Sequence, residues 1–179
     1  MRHGQTHANV SGELDTAHHG LDLTDLGRAQ AAAAAQAIAD AHLDAIYVSS
    51  RVRTHQTAAP TAESRGLTPV QLDGLEEIAA GDFEMRSDHD AALIVSHGAA
   101  LRTWVSTRMA PHPDAPPPTE PLHNTALIVL EGDPDTGWEM VSWQGHPVGG
   151  AVLGGPSLED PTAEDPTGDL DPDDDGEIG

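Results

Sequence analysis

The sequence predicts an α/β domain with a mostly parallel sheet flanked by helices, closed by an antiparallel hairpin and followed by a disordered acidic tail. Three observations predict it. Strand-like and helix-like segments alternate along the body of the chain. Ala91-Ala92-Leu93-Ile94-Val95-Ser96 is an uninterrupted apolar run of strand length, the pattern of a strand buried on both faces. Near the end of the body, Gly132-Asp133-Pro134-Asp135-Thr136-Gly137 is a turn sequence between two β-prone runs.

In chain order, Thr24 is an N-cap for a helix from Asp25 to Ala41, rich in alanine. Asp44–Ser49 reads as a strand, Val52–Arg65 as a helix and Pro69–Leu72 as a short strand. The interval from Leu72 to Ala91 is long enough for a parallel crossover but shows no helical face, so one side of the sheet is expected to lack its usual cover. After the Ala91–Ser96 strand, Gly98 opens a helix to Met109, and Pro111–Pro121 reads as a surface loop. Thr125–Leu130 and Glu139–Trp143 are the hairpin strands. Residues 1–153 form the domain. From Gly154 to Gly179 the chain has ten acidic residues, no basic one and little to bury, which is the composition of a disordered tail. Within it, Asp171-Pro172-Asp173-Asp174-Asp175-Gly176 matches the first half of a calcium loop without the closing glutamate, and reads as chance in an Asp-rich stretch.

Composition removes reaction classes. Cysteine is absent, which excludes disulfides and thiolate chemistry. Lysine is absent too, and with it any P-loop, Schiff-base or kinase-type lysine. The formal net charge is −22, which argues against nucleic acid or an anionic membrane as partner. An anionic small molecule remains compatible, because a local cluster of arginines overrides the mean field. No apolar run reaches the roughly 20 residues of a membrane span and no signal-peptide layout opens the chain, so a cytoplasmic location is expected.

Two histidines stand at similar strand-to-helix junctions, in Arg2-His3-Gly4 and in Ser96-His97-Gly98. Open α/β sheets bind ligands at the carboxyl ends of their strands. Gly98 lets the backbone approach a ligand, and the free N–H groups at that helix start suit an anion. Arg53 follows the Asp44–Ser49 strand at the same edge, and Arg2 and Arg53 together could grip a phosphoryl group by bidentate hydrogen bonds. Glu77, in the loop after the third strand, can reach that edge as well. Taken singly, each of these residues is as readily a satisfied polar group at a strand end or a solvated side chain; their shared location is what marks them. Among the remaining histidines, His7, His18, His19, His112, His123 and His146 show no metal-ligand spacing, so no metal and no cofactor are expected.

RHGQT, LDLTDLGRAQA, SSRVRTHQTA, LEEIAAGDFE and VSHGAALRTW, in that order over residues 1–150, resemble the histidine phosphatase superfamily, the phosphoglycerate-mutase-like three-layer sandwich. The resemblance implies phosphomonoester hydrolysis in two steps, with His3 as the nucleophile that becomes phosphohistidine. Arg2, Arg53 and His97 match the pocket around the transferred phosphoryl, Asn9 a further hydrogen-bond donor, and Glu77 the acid that protonates the leaving oxygen. It implies a small phosphorylated metabolite as substrate. Mutase-type transfer and a degenerate pocket that only binds phosphate-bearing ligands are the alternatives, beside an acidic interaction protein that works through its tail.

Three departures from the family pattern carry their own expectations. Only Met1 stands where the family has a central strand before Arg-His-Gly, so an upstream start or a longer parent sequence is expected, with His3 at a free end. The family usually has several tens of residues, helices among them, between the counterparts of Glu84 and Leu93, where Met85-Arg86-Ser87-Asp88 here runs almost directly into the His97 strand. Gly81-Asp82-Phe83-Glu84-Met85 replaces the more common Gly-x-Trp-Glu-Gly. A missing strand and cover exceed the roughly 5–15 kcal/mol by which domains are stable, so low stability and weak or no activity are expected. Oligomeric state is not legible.

Overall fold

A computed structural model describes residues 1–12, 15, 19–75, 91–108, 121–133 and 137–150. The expected acid Glu77, the Leu72–Ala91 crossover beyond Leu75, most of the Pro-rich loop and the acidic tail lie outside the described residues.

Three parallel strands build the sheet: β1 (Ala45–Val48), β2 (Val70–Gln71) and β3 (Ala92–Val95), in the order β2-β1-β3. Ile46 pairs with Leu93 and Val48 with Val95, so these four side chains share one face. Helices α2 (Asp25–Ala37) and α3 (Val52–Arg65) cover that face, and Ala34, Ala58 and Ala62 complete a core with Met1. Small alanines on both helices let them approach the sheet closely. The other face carries Tyr47, Ala92 and Ile94, which are only half-buried. β3 therefore alternates rather than being buried on both faces, and its continuous apolar run overstates its cover.

Thr24 caps α2 as expected: its hydroxyl accepts from the Gly27 N–H at 3.0 Å. The helix stops at Ala37, four residues before the expected Ala41. Ile38 to Ala41 form tighter turns, and the Arg65 guanidinium at the end of α3 donates to the carbonyls of Ile38, Ala39 and Ala41. A short helix, α1 (His7–Ser11), was not legible; Thr6 and Asn9 close a reciprocal capping box at its start. Helix α4 (Gly98–Arg108) follows β3, as expected. The hairpin strands β4 (Leu127–Asp133) and β5 (Gly137–Gln144) pair antiparallel and reach further into the turn than the sequence implied.

The first residues do not form a free end. His3 N–H donates to Ser96 O and Ser96 N–H to Met1 O, both at 3.0 Å, while Arg2 N–H donates to Ala126 O and Thr125 N–H to Arg2 O, both at 3.1 Å. Met1–His3 thus lie between the end of β3 and the segment leading into β4, with hydrogen bonds on both sides. The Met1 amino group adds a bond to Ile94 O at 2.7 Å. The expectation that His3 stands at a free end is corrected by this pairing.

Candidate active site

The carboxyl ends of β1 and β3 and the Met1–His3 segment converge on one buried cluster. Arg2, His3, Arg51, Arg53 and His97 are all buried, though each is polar or charged. Burying such groups is costly unless each is bonded, so the bonds decide what the cluster does.

His3 is set by its neighbours in chain. Gly4 N–H donates to Thr57 Oγ1 at 2.9 Å, and Thr57 Oγ1 in turn donates to Arg53 O at 2.7 Å. Asn124 Nδ2 donates to His3 O at 2.9 Å. The ring nitrogen Nδ1 lies 2.7 Å from Gly4 O. A carbonyl only accepts, so Nδ1 carries the proton and Nε2 is the unprotonated nitrogen of a neutral ring. Burial, then the neighbouring His97, Arg53 and Arg2, hold the His3 pKa well below the usual histidine value, against a smaller upward pull from the Gly4 bond. His3 is therefore neutral, with one lone pair on Nε2, throughout the physiological range.

His97 stands 5.2 Å from His3, centroid to centroid, in an edge-to-face arrangement. Its Nδ1 is 3.1 Å from Arg53 Nη2 and its Nε2 is 2.9 Å from Ser49 Oγ. Arginine only donates, so Nδ1 must accept and Nε2 must carry the proton, which it donates to Ser49. Ser49 Oγ, which also accepts from Arg51 N–H at 3.3 Å, then donates to Thr54 Oγ1 at 3.1 Å, and Thr54 donates to Arg51 O at 2.8 Å. One ordered chain, His97 to Ser49 to Thr54 to Arg51, fixes the tautomer. Burial first, then Arg53, Arg51 and Arg2, push the His97 pKa down to about 2. His97 is consequently a neutral acceptor that orients Arg53. Replacing Ser49 by alanine leaves the His97 Nε2–H without its acceptor and is expected to cost about 1–3 kcal/mol in urea unfolding, with Ser49→Thr costing less.

Arg2 Nη1 donates to Leu122 O at 2.6 Å, and its guanidinium lies 3.5 Å from where a Cβ on Gly98 would stand. Gly98 is buried at the first turn of α4 against that cation. Asn9 is engaged in capping: its Oδ1 accepts from Thr6 N–H at 3.0 Å and from Asn124 Nδ2 at 3.2 Å, which links it to His3 through Asn124. Sequence reasoning missed Ser49, Arg51, Thr54, Thr57, Asn124 and Asp15. A serine pair and an arginine at the end of a strand were the available signal for Ser49 and Arg51; the others are joined to the site by contacts that no local pattern encodes. Of the remaining histidines, His123 and His146 stack with ring centroids 5.5 Å apart. Among the described residues no group of three or more histidine or carboxylate side chains is disposed to hold a metal ion, and no helix is long and apolar enough to cross a membrane.

Comparison with known proteins gives the family and the fold. The family model of the histidine phosphatase superfamily (branch 1) matches residues 1–92. A PE-PGRS family protein, PE_PGRS11, of Mycobacterium tuberculosis is 32% identical over 84% of this chain and 37% of its own length. The glucosyl-3-phosphoglycerate phosphatase of Mycolicibacterium vanbaalenii is 38% identical over 63% of this chain and 49% of its own length. The chain thus spans less than half the length of these curated relatives. Among solved structures, the alpha-ribazole phosphatase from Shigella flexneri superposes with a TM-score of 0.64 at 19% identity, over 80% of this chain and 94% of that one. That likeness establishes the α/β sandwich as the fold.

Proposed function

This chain belongs to the histidine phosphatase superfamily, and on that footing we propose that it hydrolyses phosphomonoesters through a phosphohistidine on His3. His3 Nε2 attacks phosphorus as the bond to the leaving oxygen breaks, and Glu77 supplies the proton that oxygen takes. Water then attacks the phosphohistidine, Glu77 takes its proton, the P–N bond breaks and orthophosphate leaves. Arg2, Arg53, the Gly98 end of α4 and Asn9 hold the phosphoryl oxygens, with Arg51 as a further cation. Guanidinium donors fixed in place before reaction stabilise the charge spread over the equatorial oxygens. The substrate is a small phosphorylated metabolite met in the cytoplasm, and hydrolysis is favoured over mutase transfer because the chain lacks the substrate-facing insertion that would retain an intermediate.

The observation that supports this reading is the His3 tautomer: Nδ1–H bound to Gly4 O leaves Nε2 as the nucleophilic atom, with Arg53 and Arg2 near enough to help hold the ring neutral. The experiment is to quench the protein during turnover of p-nitrophenyl phosphate and locate the phosphoryl group by mass spectrometry. An acid-labile phosphoryl on the His3 peptide, with turnover unchanged by EDTA, is the expected result. Turnover without that adduct overturns the mechanism, and phosphate binding without turnover reassigns the pocket to binding alone.

A further inference from the structure

Arg53 has a second partner that the phosphoryl-transfer scheme does not use. Its Nη1 meets Asp15 Oδ2 at 3.2 Å, and its Nη2, already bonded to His97, also donates to Asp15 O at 3.3 Å. The pair is enclosed: side-chain exposure is 2% for Arg53 and 11% for Asp15. Leu21 N–H donates to the same Asp15 Oδ2 at 2.6 Å, a second hold on the carboxylate. Gly20 makes room for the contact. With φ of +68°, it leaves a space in which a Cβ would stand 2.5 Å from Arg53 Nη1 and 3.4 Å from Asp15 Oδ2.

Resting on the reading above, we infer that Asp15 sets the charge of the phosphoryl pocket: its carboxylate occupies one edge of Arg53 and holds down the affinity of the site for dianions. Positioning alone does not call for a carboxylate here, because the Asp15 carbonyl and His97 Nδ1 already orient Nη2. What the carboxylate adds is a negative charge on the very cation that receives the phosphoryl group. It competes for Nη1 and repels a doubly charged anion more than a singly charged one. Product orthophosphate is such a dianion, so Asp15 favours its release after each turnover, at the expense of ground-state binding.

The test uses the full chain and inorganic phosphate as probe, measured by calorimetry at pH 8, where phosphate is mainly dianionic, with nitrate as the monoanionic control. Asp15→Asn keeps an acceptor oxygen for Leu21 N–H and Arg53 and removes only the charge. Phosphate is expected to bind this variant about tenfold more tightly at low salt, nitrate is expected to gain less, and the gain is expected to shrink as salt screens it. Asp15→Ser, which removes the charge through a different side chain, is expected to shift phosphate affinity in the same direction. If wild type binds phosphate and both variants bind it equally or more weakly, Asp15 is a positioning residue and the inference falls alone. If neither wild type nor variant binds phosphate, the phosphatase reading falls with it.

Discussion

Replacing His3 with alanine is expected to reduce hydrolysis of p-nitrophenyl phosphate by roughly 10⁴- to 10⁶-fold, the scale on which loss of a covalent nucleophile is felt. The variant keeps Arg2 and Arg53, whose guanidiniums are held by other groups: Arg2 by Leu122 O, Arg53 by His97 and Asp15. Phosphate affinity should therefore change by only a few-fold while turnover collapses. That split separates a nucleophile from a residue that merely shapes the pocket. The pH profile adds a second readout. His3 and His97 are both held neutral by burial and by the surrounding cations, so neither can supply an acid limb near the ordinary histidine pKa of about 6.5. A loss of activity between pH 7 and 6 that disappeared in a His97 variant would contradict the assignment of His97 as a neutral acceptor. Residual turnover in His3→Ala within tenfold of wild type would remove His3 from the chemistry.

Much of this site was legible because the sequence encodes it locally. Apolar runs ending in Ser49 and Ser96 mark strand ends, and a parallel sheet brings its carboxyl ends to one edge. His97 and Arg53 had to be neighbours once β1 and β3 paired in register. His3 reads from the sequence as standing at a free end, yet the Met1–His3 backbone bonds run to Ser96, Ala126 and Thr125, all far away in sequence. The rest depended on such distant partners. Nothing near Ser49 announces that its hydroxyl holds the proton of His97, 48 residues on. Asp15 sits in a polar stretch whose composition says only that it is exposed, whereas the fold encloses it against Arg53. The end of α2 was missed for the same reason: helix propensity extends through Ala39 and Ala41, but their carbonyls are taken by Arg65 from another helix.

Gly27→Ala is expected to destabilise the domain by about 3 kcal/mol or more and to abolish phosphate binding with it, against what helix propensity alone implies. Gly27 lies in the first turn of α2, where alanine is ordinarily better than glycine by up to about 1 kcal/mol. Here a Cβ would stand 2.1 Å from Gln5 O and 2.9 Å from Gln5 N. Those are backbone atoms and cannot swing aside as a flexible side chain would. Gln5 is moreover tied in place: its N–H donates to Gln30 Oε1 at 2.9 Å and its carbonyl accepts from Thr24 N–H at 2.9 Å. From the other side, a Cβ on Gly4 would meet Gly27 O at 2.7 Å, so the two glycines are the contact surfaces of one close crossing. Relief would require the whole 3–6 segment to move, and that segment carries His3 and the Gly4 carbonyl that fixes its tautomer. Overpacking of side chains costs about 1–3 kcal/mol, and a backbone-on-backbone clash belongs at or above the top of that range. Urea unfolding decides between the two rules. A Gly27→Ala protein about 1 kcal/mol more stable than wild type, with phosphate binding intact, would mean that α2 and the His3 segment do not cross as closely as this.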